Sequence, residues 1–179
     1  MLVHGAHASE ALTAEDVMAQ MRLVRESHAN FTERRTMAML NAPLETKGTL
    51  RYEAPDYLVK QTLQPHAEKI TVRGELLTIV EGHERLRSLS LSDSPQVTAL
   101  VESIRGTLAG DLDALERYYQ VAVTGSPAAW RLELTPKGED IAALISSINI
   151  SGQDGKIRTV DTLEINGDRT IMTVFEDRP

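Results

Sequence analysis

Residues 44–64, LETKGTLRYEAPDYLVKQTLQ, carry the pattern that decides the fold. The apolar side chains of Leu50 and Tyr52 alternate with polar neighbours, which is typical of a strand with one buried face. Pro55 lies in a short turn sequence that separates this run from a second β-rich run. Two such runs joined by a short turn predict an antiparallel hairpin.

Similar runs lie on both sides of this stretch. The first group of predicted strands covers residues 31–40, 44–53, 57–64, 69–73, 76–81 and 85–91. A second group covers residues 119–124, 129–135, 156–165 and 169–175. Asn166-Gly167, between the last two runs, is the strongest hairpin signal of the chain. Short connections of this kind predict an antiparallel meander.

Two amphipathic helices accompany the strands. The first is predicted over residues 13–28, because Thr13 and Asp16 form a capping-box pattern before an apolar stripe. The second is predicted over residues 95–108, behind an N-terminal proline. A short helix after Asp111 is expected as well, and residues 138–147 fit either a helix or a strand. The chain is therefore expected to be one α+β, mainly β, domain.

Composition narrows the functional classes. A net charge of −7 argues against nucleic acid as a partner, and cysteine is absent. The histidines are scattered, and no nucleophile motif is present, so the sequence predicts no metal, no cofactor and no enzyme. A lipid hydrolase stays open only if a serine or aspartate meets a histidine at a cavity mouth. No apolar run reaches the ~20 residues of a membrane helix.

The N-terminal residues contain Ala6-His7-Ala8, which has the small-x-small form of a signal-peptidase site. The same form also arises by chance. We interpret residues 1–12 as the remainder of a signal peptide or a tag, and residues 13–179 as the domain.

Three stretches together resemble the LolA-like family of outer-membrane lipoprotein carriers. They are residues 27–34 (SHANFTER), 48–56 (GTLRYEAPD) and 130–137 (WRLELTPK). The resemblance implies a half-open antiparallel β-barrel of about eleven strands, with helices that cover its concave face. It further implies a monomeric carrier in the periplasm of Gram-negative bacteria. Its cargo would be an acyl lipid or a lipoprotein, taken from an inner-membrane donor and delivered to an outer-membrane acceptor.

The resemblance also implies a hydrophobic cavity for acyl chains, although the residue pattern alone fits a packed core as well. The residues expected to line the cavity are Leu50, Tyr52, Tyr57, Val59, Leu63, Ile79, Trp130, Leu132 and Leu134. The residues expected on the lid helices are Val17, Met21, Val24, Val97, Leu100, Val101, Ile104 and Leu108. The alternative is a non-catalytic structural or interaction module on the same fold, whose interior is filled by its own side chains.

One position departs from the family pattern. Carriers of this family usually have an arginine before the proline, which bonds to the helical lid, and here that latch position is Ala54. We therefore expect closure of the lid to rest on apolar contacts and to depend weakly on pH and salt.

Overall fold

The structure is a computed structural model that describes residues 11–82 and 85–176. Within these residues, eleven strands are found, in chain order β1 Glu26–Thr36, β2 Leu44–Glu53, β3 Tyr57–Gln64, β4 Glu68–Arg73, β5 Leu76–Glu81, β6 Arg85–Ser90, β7 Tyr119–Ser126, β8 Ala129–Pro136, β9 Ile145–Gln153, β10 Lys156–Glu164 and β11 Arg169–Phe175. The α-helices of the same part are α1 Ala14–Met21, α2 Pro95–Ala109, α3 Leu112–Glu116 and α4 Glu139–Ala142. Of the segment 1–12, only Ala11 and Leu12 belong to the described residues.

All strands belong to one antiparallel sheet in the order β6-β5-β4-β3-β2-β1-β11-β10-β9-β8-β7. The sheet does not close into a complete barrel, because β6 and β7 are its two edges. This order confirms the expected mainly β fold with about eleven strands and an open side.

The chain builds the sheet outward from β1, which pairs with both β2 and β11. We call β1–β6 the N-terminal half-sheet and β7–β11 the C-terminal half-sheet. Helices α2 and α3 connect β6 to β7, and therefore join the two outer edges of the sheet.

The helices cover one face of the sheet, which we call the covered face. A large apolar cluster joins α1, α2 and α3 to the C-terminal half-sheet and β1, with buried members such as Val17, Leu115 and Leu132. A small cluster joins the N-terminal part of α2 to β4 and β5, around Val72 and Leu77. The two half-sheets therefore bury very different amounts of apolar side chain.

Helix α1 begins as predicted and ends earlier. The Thr13 hydroxyl accepts a hydrogen bond from the Asp16 backbone N–H, and the Asp16 carboxylate accepts one from Thr13, which confirms the capping box. The helix ends at Met21, whereas the sequence predicted a helix to residue 28. The prediction was wrong because Glu26 and the residues after it pair with β2, a long-range contact that the helical period cannot reveal.

The junction between α1 and α2 depends on Gly110. This residue ends α2 with φ of 65°, and a Cβ there would lie 2.3 Å from the Met18 carbonyl oxygen. The Arg22 Nε donates a 3.0 Å hydrogen bond to the Gly110 carbonyl. Glycine thus permits both the left-handed turn and the close approach of the two helices.

The ambiguous segment 138–147 contains both structures. Helix α4 covers Glu139–Ala142, and β9 begins at Ile145. The hairpin at Asn166-Gly167 is also present, between β10 and β11. These outcomes confirm the second group of predicted strands.

Candidate functional site

An apolar cavity of about 230 Å³ opens at one end of the covered face. It lies between the start of β1, the C-terminal part of α2 and the adjoining ends of β2, β3, β10 and β11. Its apolar lining consists of Val24, Ala29, Leu50, Tyr52, Leu58, Leu108, Ile157, Val160, Met172, Val174 and Phe175.

The cavity reaches a gap in the sheet. Strand β11 pairs with β1 as far as Asn30 opposite Phe175, so residues 26–29 pair only with β2 among the described strands. On the other side, the pairing of β10 with β11 begins at Thr159. We call the space between residues 26–29 of β1 and residues 156–158 of β10 the notch.

Charged side chains surround the notch. The Glu26 Oε1 atom lies 2.9 Å from the His28 Nε2 atom, and the Lys156 Nζ atom lies 2.6 Å from the Glu176 Oε1 atom. The hydrogen bond from His28 lowers the pKa of Glu26, and the one from Lys156 lowers the pKa of Glu176. The cavity therefore combines an apolar interior with an ionic rim.

A β-bulge places a further cation at this rim. Ile157 pairs with Gly152 and Thr159 pairs with Ser151, which leaves Arg158 as the extra residue of β10. Arg158 is half-buried and lines the cavity. A bulge redirects a side chain that strict alternation would place differently, and here the redirected side chain is a guanidinium.

The predicted cavity residues separate into four groups, and only Leu50 and Tyr52 line the cavity. Trp130, Leu132 and Leu134 are at most 1% exposed and belong to the large packed cluster. They therefore lie under the helices in a core, and not at the cavity surface.

Three other predicted residues lie outside the cavity. Tyr52 pairs with Leu58, so Leu58 shares the covered face with it. Tyr57 and Val59 therefore point away from the cavity. Leu63 lies at a register shift of the β2–β3 pairing and is 52% exposed. The assignment of Tyr57 and Val59 was wrong because the loop between β2 and β3 has three residues, 54–56. A loop of this length pairs even-numbered residues of β2 with even-numbered residues of β3, so Leu58 and not Tyr57 lies beside Tyr52.

Ile79 occupies a fourth environment. It is half-buried and packs against the small cluster of the N-terminal half-sheet. It thus lies on the covered face as expected, outside the cavity lining.

The predicted lid residues also divide. Val17 and Met21 are fully buried, and Val97 and Val101 pack on the small cluster. Val24 lies just after α1, and both Val24 and Leu108 line the cavity. Leu100 is 37% exposed and Ile104 is half-buried, so the expected continuous stripe is interrupted.

The most buried face of α2 is built from small and polar residues instead. A Cβ on Gly106 would lie 3.1 Å from Leu115, and the Tyr119 hydroxyl donates a 2.8 Å hydrogen bond to the Ala99 carbonyl. Burial raises the pKa of Tyr119 well above its ordinary value. Small residues let α2 approach its neighbours closely, and for this reason the aliphatic stripe alone did not identify the packed face.

A charged contact ties α2 to the N-terminal half-sheet. Arg105 is 8% exposed, forms an ion pair with Glu102, and donates a 2.5 Å hydrogen bond to the Gly74 carbonyl in the β4–β5 turn. Ala54 lies in the turn after β2 and makes a backbone hydrogen bond to Arg25. The expectation that closure rests on apolar contacts alone was therefore wrong, because a cation on the helix contacts the sheet.

Residues 11–82 and 85–176 contain no group of three His, Asp or Glu side chains placed to hold a metal ion. Among these residues, no helix combines the length and the apolar character that crossing a membrane requires.

The fold defines a class of mainly β proteins, in which helices cover one face of an open antiparallel sheet. The sequence profile of the family described as "Outer membrane lipoprotein carrier protein LolA-like" matches residues 6–175. The chain belongs to this family, whose members are typically periplasmic and generally non-catalytic. No curated protein gave a significant match.

Solved structures share the fold at low sequence identity. A DUF1329 family protein from Desulfovibrio piger is 13% identical with a TM-score of 0.50, and the match covers 90% of this chain and 89% of that one. A LolA superfamily protein from Nitrosomonas europaea is 12% identical with a TM-score of 0.45, covering 94% and 96%. MucB of Pseudomonas aeruginosa, in complex with MucA, is 11% identical with a TM-score of 0.42, covering 93% and 58%. At these identities the likeness concerns the fold alone.

Proposed function

We propose that this protein carries the acyl chains of a lipoprotein, a lipid or a lipidated product through the periplasm toward the outer membrane. The apolar cavity on the covered face is the observation that carries the proposal, and membership of the LolA-like family supports it. In this function the protein takes cargo from an inner-membrane donor, delivers it to an outer-membrane acceptor, and catalyses no reaction.

The size of the cavity sets the conditions for binding. Pockets for drug-sized ligands typically measure ~300 to 1,000 Å³, so a cavity of about 230 Å³ holds only part of a long acyl chain. Each methylene that enters it contributes ~0.8 kcal/mol. A longer chain requires α2 to move away from the sheet, and the small cluster around Val72 and Leu77 offers less resistance than the large one.

Filling the cavity tests this proposal. Leu50→Trp places a large ring in the lining, and we expect at least tenfold weaker binding of a fluorescent fatty acid. Leu44→Trp is the matched control, because Leu44 lies on the same strand and is 51% exposed; we expect unchanged binding. Native mass spectrometry of the wild-type protein from a Gram-negative host should also find bound acyl ligands. Absence of these ligands together with absence of probe binding would contradict the carrier function.

One observation favours a second function, a non-catalytic interaction module with a self-filled interior. Trp130, Leu132 and Leu134 are buried in the large cluster of the protein's own side chains, so β8 offers no space to a ligand on this face. The experiment above separates the two functions, since a self-filled module binds no acyl probe and is indifferent to Leu50→Trp in that assay.

A further inference from the structure

We propose that the ligand of this cavity is an acyl or alkyl chain that ends in an oxyanion, a carboxylate or a phosphate, which Arg158 receives at the notch. The inference rests on the proposed carrier function and adds to it the chemical class of the cargo's polar end.

The position of Arg158 is the first argument. Its bulge turns the side chain to the rim of an apolar cavity, where one end of an extended chain would emerge. Arg158 is half-buried, and a cation at an apolar boundary is desolvated in part. Such a cation gains more from an anionic partner than a fully hydrated one does.

The other charged side chains at the rim are already engaged with one another. Glu26 bonds to His28, and Glu176 bonds to Lys156. No carboxylate of the described residues lies within ion-pair distance of the Arg158 guanidinium, although Glu176 is near enough to interact through space. Arg158 is thus the rim cation with most capacity for a ligand.

The third argument is the charge of the adjoining surface. A polar groove on the opposite face shares His28, Ala29, Leu50 and Glu176 with the cavity. Its other charged lining residues are Arg51 and Lys69. The cavity and groove together therefore expose four basic and two acidic side chains, in a chain of net charge −7.

A neutral or cationic polar end fits this rim less well. An alcohol gives Arg158 a weaker hydrogen bond than an oxyanion does, and an ammonium group meets a like charge. The planar guanidinium can also bind two oxygen atoms of a carboxylate or phosphate at once.

Four ligands with the same twelve-carbon chain test the inference by displacement of a neutral fluorescent acyl probe: dodecanoate, dodecyl phosphate, dodecanol and dodecylammonium. We expect the two anions to bind at least tenfold more tightly than dodecanol. We expect dodecylammonium to bind no better than dodecanol. The ratio of the dissociation constants of dodecanoate and dodecyl phosphate shows whether the site prefers a carboxylate or a phosphate.

Variants then locate the recognition. Arg158→Gln should weaken the binding of the two anions far more than that of dodecanol, and so remove the preference for anions. Arg34→Gln is the control, since it removes an equal charge from an exposed position on β1, and the preference should persist. Thermal melting verifies that both variants fold, and Arg158→Lys, which keeps the charge, should keep part of the preference.

Two results would overturn the inference while the carrier function stands. Equal binding of dodecanoate and dodecanol by the wild-type protein is one. Equal weakening of both ligands by Arg158→Gln is the other, because it would show that the side chain only shapes the cavity. If none of the four ligands binds, the carrier function itself is contradicted and this inference is contradicted with it.

Discussion

The two half-sheets use the same β architecture and pack their covered faces very differently. The large cluster over the C-terminal half-sheet and β1 contains seventeen buried residues of the described chain, whereas the cluster over β4 and β5 contains three. Helices α1, α3 and α4 all contact strands of the C-terminal half-sheet. The N-terminal half-sheet relies on α2 and on the short 3₁₀ helix Leu91–Asp93.

This difference predicts that helix α2 opens more easily from the N-terminal half-sheet than from the C-terminal one. Local opening is easiest where few apolar contacts are lost, and α2 covers the sparsely packed half. The cavity lies between the two half-sheets, so a ligand can enter if the face of α2 with Val97 and Val101 separates from the small cluster. The opposite face, with Ala99, stays packed in the large core. A carrier needs this combination, since cargo must be both enclosed and released.

The largest expected effect is on stability. Leu132→Ala removes a fully buried side chain from the large cluster, and should lower the free energy of unfolding by ~2 to 5 kcal/mol. Leu89→Ala makes the same change at a half-buried position beside the small cluster, and should have less than half that effect. Urea denaturation of both variants measures the difference. Equal losses would show that the two half-sheets are packed equally well.

The next effect concerns the tie between α2 and the sheet. Arg105→Met removes the hydrogen bond to Gly74 and the ion pair with Glu102, and should destabilise the protein by ~1.5 to 3 kcal/mol. It should also speed the uptake of a fluorescent acyl probe, because α2 then leaves the sheet more easily. Stopped-flow fluorescence and urea denaturation provide the two measurements.

The control for Arg105→Met is an arginine of the N-terminal half-sheet, which α2 covers. Arg87 forms an exposed ion pair with Glu81, and Arg87→Met should change stability by less than ~1 kcal/mol with no change in uptake. If Arg105→Met destabilises the protein without faster uptake, α2 is not the element that opens.

The sequence predicted most of the fold and only part of the site. Alternating runs and turn residues are local signals, and they located the strands from Leu44 onward except β9, whose start lies in the segment that fitted either a helix or a strand. The end of α1 was not predictable, because Glu26 joins β1 through pairing with β2. Leu58 could have been assigned by counting the three loop residues before it. The bulge at Arg158 could not, since it depends on the register between β9 and β10.

The smallest effect appears only at alkaline pH and compares one tyrosine from each region. Burial raises the pKa of Tyr119 in the large cluster and that of Tyr52 at the cavity, both from an ordinary value of 10.0. The unfolded chain therefore loses these protons first as the pH rises above about 10, while the folded protein keeps them. The contribution of the two buried tyrosines to the free energy of unfolding is fully present below that pH, and it should fall above it. Tyr119→Phe should weaken this dependence more than Tyr52→Phe, because burial raises the pKa of Tyr119 further than that of Tyr52. Urea denaturation at pH 9 and pH 11 measures the pH dependence of both variants. An equal or reversed effect of the two substitutions would contradict the view that the cavity region is less tightly enclosed than the large cluster.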